Sequence, residues 1–144
     1  MITNHNQYLD IAFQIAEKNL GKTHQNPSVG CVVVKDGTVI SSGVTSKNGR
    51  PHSEFNALSK LKNCSGATLY TTLEPCAHKG KTPPCVDVIA KKKIKKVFYA
   101  FEDPDLRTFK KSKKILNFNG VRSKLIPSKK YKEFYKSYFY NKKK

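Results

Sequence analysis

The sequence predicts a three-layer α/β/α sandwich, with a mixed five-stranded sheet covered by helices on both faces. Three observations predict it. An apolar strand over residues 29–34 and a returning strand over 39–43 flank Asp36-Gly37, a dipeptide that favours a tight hairpin turn. The rest of the chain alternates helical and strand periodicities. Residues 94–126 read as strand, helix, strand, a connection that makes the last two strands parallel.

The elements follow in order. Residues 6–20 place Leu9, Ala12, Phe13, Ala16 and Leu20 at helical spacing, with Asn4 or Asn6 as the cap and Gly21 as the stop. Residues 23–27 form a loop, in which Asn26 precedes Pro27 and is held extended. After the hairpin, a polar loop over 45–50 leads to Pro51, a residue suited to a helix start. Residues 52–61 are predicted helical, with Phe55, Leu58 and Leu61 inward. Strands over 67–73 and 94–101 bracket a helix that follows Cys85 and turns Val86, Ile89 and Ala90 inward. A helix over 106–118 ends at Asn119-Gly120, and a strand follows over 121–126. Residues 131–140 (YKEFYKSYFY) carry their aromatics on one helical face, which fits packing against the domain or a partner subunit.

One domain accounts for 144 residues. No run approaches the ~18 apolar residues of a membrane span, and no apolar leader follows the polar N-terminus, so a cytoplasmic protein is expected. The net charge is +18 and uneven: residues 1–90 hold 9 Lys/Arg against 6 Asp/Glu, and residues 91–144 hold 19 against 4. Such a footprint fits polyanions, but lysines scattered over helix and strand surfaces produce the same count. Cys31 lies in an apolar run and reads as a core residue; Cys64 reads as a loop residue without a role.

The chemistry is concentrated in His52-Ser53-Glu54 and in residues 70–86, YTTLEPCAHKGKTPPCV. One imidazole and two thiols, His52, Cys76 and Cys85, are three of the four ligands of tetrahedral Zn²⁺ and leave the fourth position for water. Glu54, two residues from His52, is placed to shuttle protons. His-x-Glu followed by Pro-Cys and a second Cys is the signature of zinc deaminases, in which the Glu is general acid and base and not a ligand. Those enzymes commonly place two residues between the cysteines. Here eight intervene, and they offer His78, Lys79 and Lys81 as donors; a lysine suits phosphate as a point charge. Glu74 is placed to brace this loop through backbone donors.

PHSE, TLE, PCAHKGKTPPC and HQNPSVGCVVVKDG (residues 24–37) together resemble the pyrimidine deaminases of riboflavin biosynthesis, over nearly the whole chain. The resemblance implies a cytidine-deaminase-like fold, Zn²⁺ as cofactor, and a small-molecule pyrimidine ribotide as substrate. It implies that Asn26 and the backbone near Ser53 hold the pyrimidine, that His78 and Lys81 hold polar or phosphate groups, and that the chain assembles as a dimer or tetramer. In that family a reductase domain commonly follows the C-terminal helix; the expectation here is a single deaminase domain over 1–144 with the reductase encoded separately. Three places depart from the family's pattern. Thr45 stands where it usually carries His, Asp105 where it often carries Asn, and Lys110-Lys111-Ser112 where it often carries Gly-Arg-Gly. Lys110 or Lys111 remains a candidate to neutralise phosphate. Two rivals stay open: a deaminase of tRNA or another polynucleotide, favoured by the basic C-terminal third and opposed by the eight-residue loop, and a non-catalytic zinc module, opposed by the retention of Glu54.

Overall fold

The computed structural model describes residues 4–80 and 83–142. Helix α1 spans His5–Glu17 and is capped by Asn4, whose side chain accepts from the Gln7 amide. Strands β1 (Gly30–Lys35) and β2 (Thr38–Val44) form the expected hairpin, with Asp36 and Gly37 both at positive φ, as the tight turn requires. Helix α2 (Ser53–Leu58) precedes β3 (Thr68–Thr71), and α3 (Cys85–Lys91) precedes β4 (Lys96–Tyr99). The described chain ends with α4 (Lys111–Phe118), β5 (Arg122–Leu125) and α5 (Lys136–Lys142).

The sheet order is β2-β1-β3-β4-β5. β1 is antiparallel to β2 and β3, whereas β3, β4 and β5 run parallel. Each face has its own core. On one, α1 and the C-terminal aromatic segment cover Val32, Tyr70 and Phe98. On the other, α2, α3 and α4 cover Cys31, Val33, Leu69 and Val97. The alternation of β1 and β3 residues between the two clusters is the period-two geometry of a strand buried on both faces.

Two glycines set how closely the helices approach. A Cβ on Gly30 would lie 2.0 Å from the Ala12 carbonyl oxygen, and one on Gly43 would lie 2.4 Å from the Ser53 carbonyl oxygen. The bare glycine backbone is therefore what lets α1 rest on β1 and α2 rest on β2.

Several sequence expectations are corrected. Phe55 is 45% exposed, not inward, because the short α2 buries Ser53, Glu54, Ala57 and Leu58 instead. The helix expected from residue 106 begins at Lys111; the Asp103 and Asp105 carboxylates accept the amides two residues on, folding 103–107 into turns, and Lys110 adopts a left-handed conformation. Within 131–140 only the part from Lys136 is α-helical, although Tyr131, Phe134, Tyr135, Tyr138 and Phe139 do pack onto the domain. Ala90 is half-buried; Val88 supplies the contact expected of it. Cys31 and Cys64 are both buried thiols. Among the described residues no helix is long and apolar enough to cross a membrane.

Candidate active site

The site lies at the end of the sheet where β1 begins and β3 and β4 finish. Antiparallel pairing of β1 with β3 brings these ends together, and the Thr72 amide donates to the Gly30 carbonyl. The loop leaving β3 carries Cys76; α3 starts on Cys85; α2 starts just after His52. His52 is the extended N-cap of α2, and its side chain makes no capping bond.

His52 Nδ1 lies 3.6 Å from Cys76 Sγ and 3.5 Å from Cys85 Sγ, and the three ligand atoms fall within 4.8 Å of one another. A tetrahedral zinc about 2.3 Å from sulfur and about 2.0 Å from nitrogen places such atoms about 3.6 Å apart. The donor set therefore fits Zn²⁺ in both chemistry and spacing.

The electrostatics agree with that fit. The Cys76 thiol is brought down by the Cys85 thiol that hydrogen-bonds it, and further by His52 and the Cys85 amide 3.2 Å away. Cys85 is pushed up because it keeps the shared proton, and burial adds to that. His52 is raised by its bond to Cys76, against burial. A metal taking both sulfurs would displace the proton that Cys85 holds.

Glu54 is 3% exposed, and its carboxylate accepts from the Ser53 hydroxyl. Burial raises its pKa, and the nearby Cys76 charge adds to the rise. Glu74, a second buried carboxylate, accepts from the Asp103 amide at 3.0 Å and from the Ser112 hydroxyl at 2.6 Å, so it ties the end of β3 to the segment between β4 and α4 and not to the loop between the cysteines.

These groups face a cavity of about 180 Å³ whose lining includes His52, Glu54, Cys76, Asn26 and His78. Asn26 Nδ2 donates to the Gly49 carbonyl at 2.9 Å, and His78 Nδ1 is 3.1 Å from the Thr108 hydroxyl, which also takes the Ala77 amide. Ser53 does not reach the cavity wall; its side chain serves Glu54. Lys81 lies outside the described residues. Thr45 lines the cavity and spends its hydroxyl on the Val29 backbone, accepting the amide at 2.9 Å. Lys110 and Lys111 are exposed and do not line the cavity; Lys110 sits over the Phe109 ring instead. Among the described residues, the lysine and arginine side chains of the cavity wall are Arg50, Arg107 and Lys142, none of which the sequence singles out.

The family described as the cytidine and deoxycytidylate deaminase zinc-binding region matches residues 2–101, a span that contains His52, Glu54, Cys76 and Cys85. The chain belongs to this family. Among curated deaminase-family relatives, the riboflavin biosynthesis protein RibD of Aquifex aeolicus is 48% identical over 99 residues, 68% of this chain and 28% of the relative. RibD of Haemophilus influenzae is 42% identical over 117 residues, 81% of this chain and 32% of the relative. The chain thus spans about a third or less of the length of these relatives. RibD of Acinetobacter baumannii superposes with a TM-score of 0.80 at 40% identity, over 84% of this chain and 34% of that one. The Thermotoga maritima diaminohydroxyphosphoribosylaminopyrimidine deaminase/5-amino-6-(5-phosphoribosylamino)uracil reductase superposes with a TM-score of 0.76 at 37% identity, over 83% and 35%. The mixed sheet and its covering helices are therefore the cytidine-deaminase-like fold that the sequence implies.

Proposed function

We propose that this chain is a zinc-dependent hydrolase that deaminates 2,5-diamino-6-ribosylamino-4(3H)-pyrimidinone 5′-phosphate in riboflavin biosynthesis. The observation that carries the reading is the convergence of His52, Cys76 and Cys85 on one point, at the edge of a cavity that His52, Cys76 and the buried Glu54 line. The likeness to RibD over the same residues supports the substrate class.

His52, Cys76 and Cys85 would hold Zn²⁺, which supplies the Lewis acidity that makes water a nucleophile near neutral pH. Glu54 would take one proton from the attacking water and pass it to the ring nitrogen, then take the second from the new hydroxyl and pass it to the amine, so that ammonia leaves and the carbonyl product remains. Burial suits Glu54 to the task, because a carboxylate with a raised pKa is a stronger base toward the water and holds the proton until the ring nitrogen takes it. The Ser53 hydroxyl fixes which carboxylate oxygen is engaged and so orients the other. Asn26 would hold the pyrimidine edge, anchored by Gly49, and His78 would present the imidazole edge that Thr108 orients.

The test is ammonia release by zinc-loaded protein offered the ribotide, cytidine, guanine and tRNA in parallel. Turnover of the ribotide alone is expected. Glu54→Gln is expected to lose at least about 10²-fold in kcat while retaining its zinc. Substantial activity in that variant would overturn the shuttle role, and turnover of tRNA would overturn the substrate.

A further inference from the structure

The cavity does not end at the reactive centre. A groove of about 730 Å³ adjoins it, and the two share Gln25, Asn26, Pro27, Tyr138 and Lys142. One wall of this continuous cleft is the 25–27 loop; the other is α5. The family match stops at residue 101, so it implies nothing about α5 or Lys142.

Lys142 is the cation of the α5 wall. Its Nζ lies 3.4 Å from Asp105 Oδ2 and 5.8 Å from the centre of the Tyr138 ring, and the Tyr138 hydroxyl donates to Asp103 Oδ1 at 2.7 Å. Asp105 does not depend on the lysine. Arg107 already holds it bidentately, Nε to Oδ1 at 3.0 Å and Nη2 to Oδ2 at 2.7 Å. A paired guanidinium fork is the stronger partner, and a single contact at 3.4 Å from a partly exposed lysine is weak. Lys142 is thus held over the cleft by the Tyr138 ring and a contact that Asp105 can give up at small cost. Arg107 and Lys142 face two carboxylates here, Asp103 and Asp105. The positive charge that the cleft offers an anion therefore comes from Arg50 on the facing wall, where its guanidinium packs against Gly80, together with whatever Lys142 gains by leaving Asp105 to Arg107.

We propose that Lys142 is a specificity-determining residue that receives the 5′-phosphate of the substrate. The pyrimidine lies against His52, Cys76 and Glu54, the ribose runs outward between Asn26 and Tyr138, and the phosphate takes the place of Asp105 as the partner of Lys142. This rests on the ribotide reading above.

The test compares the ribotide with its 5′-dephosphorylated riboside, using the zinc-loaded full chain and its Lys142→Gln and Lys142→Arg variants. In Lys142→Gln the ratio of kcat/KM for ribotide over riboside is expected to fall about tenfold, the scale of one lost charge-assisted hydrogen bond, through KM rather than kcat. Lys142→Arg is expected to recover most of it. Raising salt is expected to weaken ribotide binding in the wild type more than in Lys142→Gln. A ratio unchanged in Lys142→Gln would overturn the inference and leave the ribotide reading intact. A wild type that converts the riboside, or another pyrimidine, and not the ribotide would overturn that reading and the inference with it.

Discussion

Tyr135→Phe tests what joins the C-terminal segment to the site. The Tyr135 side chain is buried, and its hydroxyl donates to the Ser28 carbonyl at 2.7 Å and meets the Thr72 hydroxyl at 2.6 Å. Thr72 in turn accepts the Gly30 amide at 3.2 Å, so one phenol ties the C-terminal segment to the start of β1 and the end of β3. Burial raises its pKa far above that of a free phenol, so it is neutral at every working pH. Phenylalanine keeps the ring packing against Phe13, Phe101 and Phe134 and removes only the oxygen. The Ser28 carbonyl then stays buried without this partner, which costs about 1–3 kcal/mol. Thermal unfolding should therefore shift down by roughly 2–4 °C for each of those kcal/mol. Tyr131→Phe is the control: its hydroxyl bonds to Asp10, which is partly exposed and also held by Lys130, so the loss should be smaller. The assay is a melt of all three proteins at equal zinc loading. If Tyr135→Phe melts within a degree of the wild type, or no lower than Tyr131→Phe, the buried phenol does not hold the segment and the argument fails.

Two further outcomes follow from the geometry. Gly43→Ala puts a methyl 2.4 Å from the Ser53 carbonyl oxygen and 2.7 Å from the Ala57 amide nitrogen, so α2 must move and carry His52 and Glu54 with it. A loss of about 10–10²-fold in kcat/KM, with weaker zinc retention, is expected; wild-type kinetics would show that α2 does not set the position of Glu54. The Arg107 fork beside Asp105 holds its carboxyl well below the usual carboxylate range. A depressed acid stabilises the fold above its unfolded pKa of about 3.9, and that contribution is lost as pH falls toward the folded value. Wild type should therefore lose more stability than Asp105→Asn between pH ~4 and ~2 in urea titrations, by about 1 kcal/mol or less because Arg107 is largely exposed. Equal losses would mean that the fork contributes nothing.

The clustering of His52, Cys76 and Cys85 was legible because the chemistry of such a set restricts it. Few residue types bind zinc, and His-x-Glu with Pro-Cys admits few other uses. The hairpin and the parallel strands were legible because turn chemistry and connection length restrict them too. Phe55 was misplaced because apolar spacing alone does not fix the phase of a six-residue helix. Contact of Ser53 and Ala57 with Gly43 fixes it, and that is tertiary. Leu106, 80% exposed, was assigned to a helix that the Asp103 and Asp105 turns exclude. The cations of the cavity wall were hidden for a different reason. Arg50, Arg107 and Lys142 come from three separate segments, and nothing local distinguishes them from the many other basic residues of this chain.

The wall built by α5 also bears on how the site opens. The residues that lead into α5 are docked by Tyr135 on the Ser28 carbonyl and by Tyr131 on Asp10, contacts far apart in the chain. With the sheet intact, release of the segment frees only the short connection that follows β5 and parts no strands, and α5 buries no residue fully. The segment should therefore detach as a unit while the sheet stays folded, at a free energy below that of global unfolding. Its amides would exchange with solvent ahead of those of β1, β3 and β4, and substrate entry and product release would share a route with the least stable part of the fold.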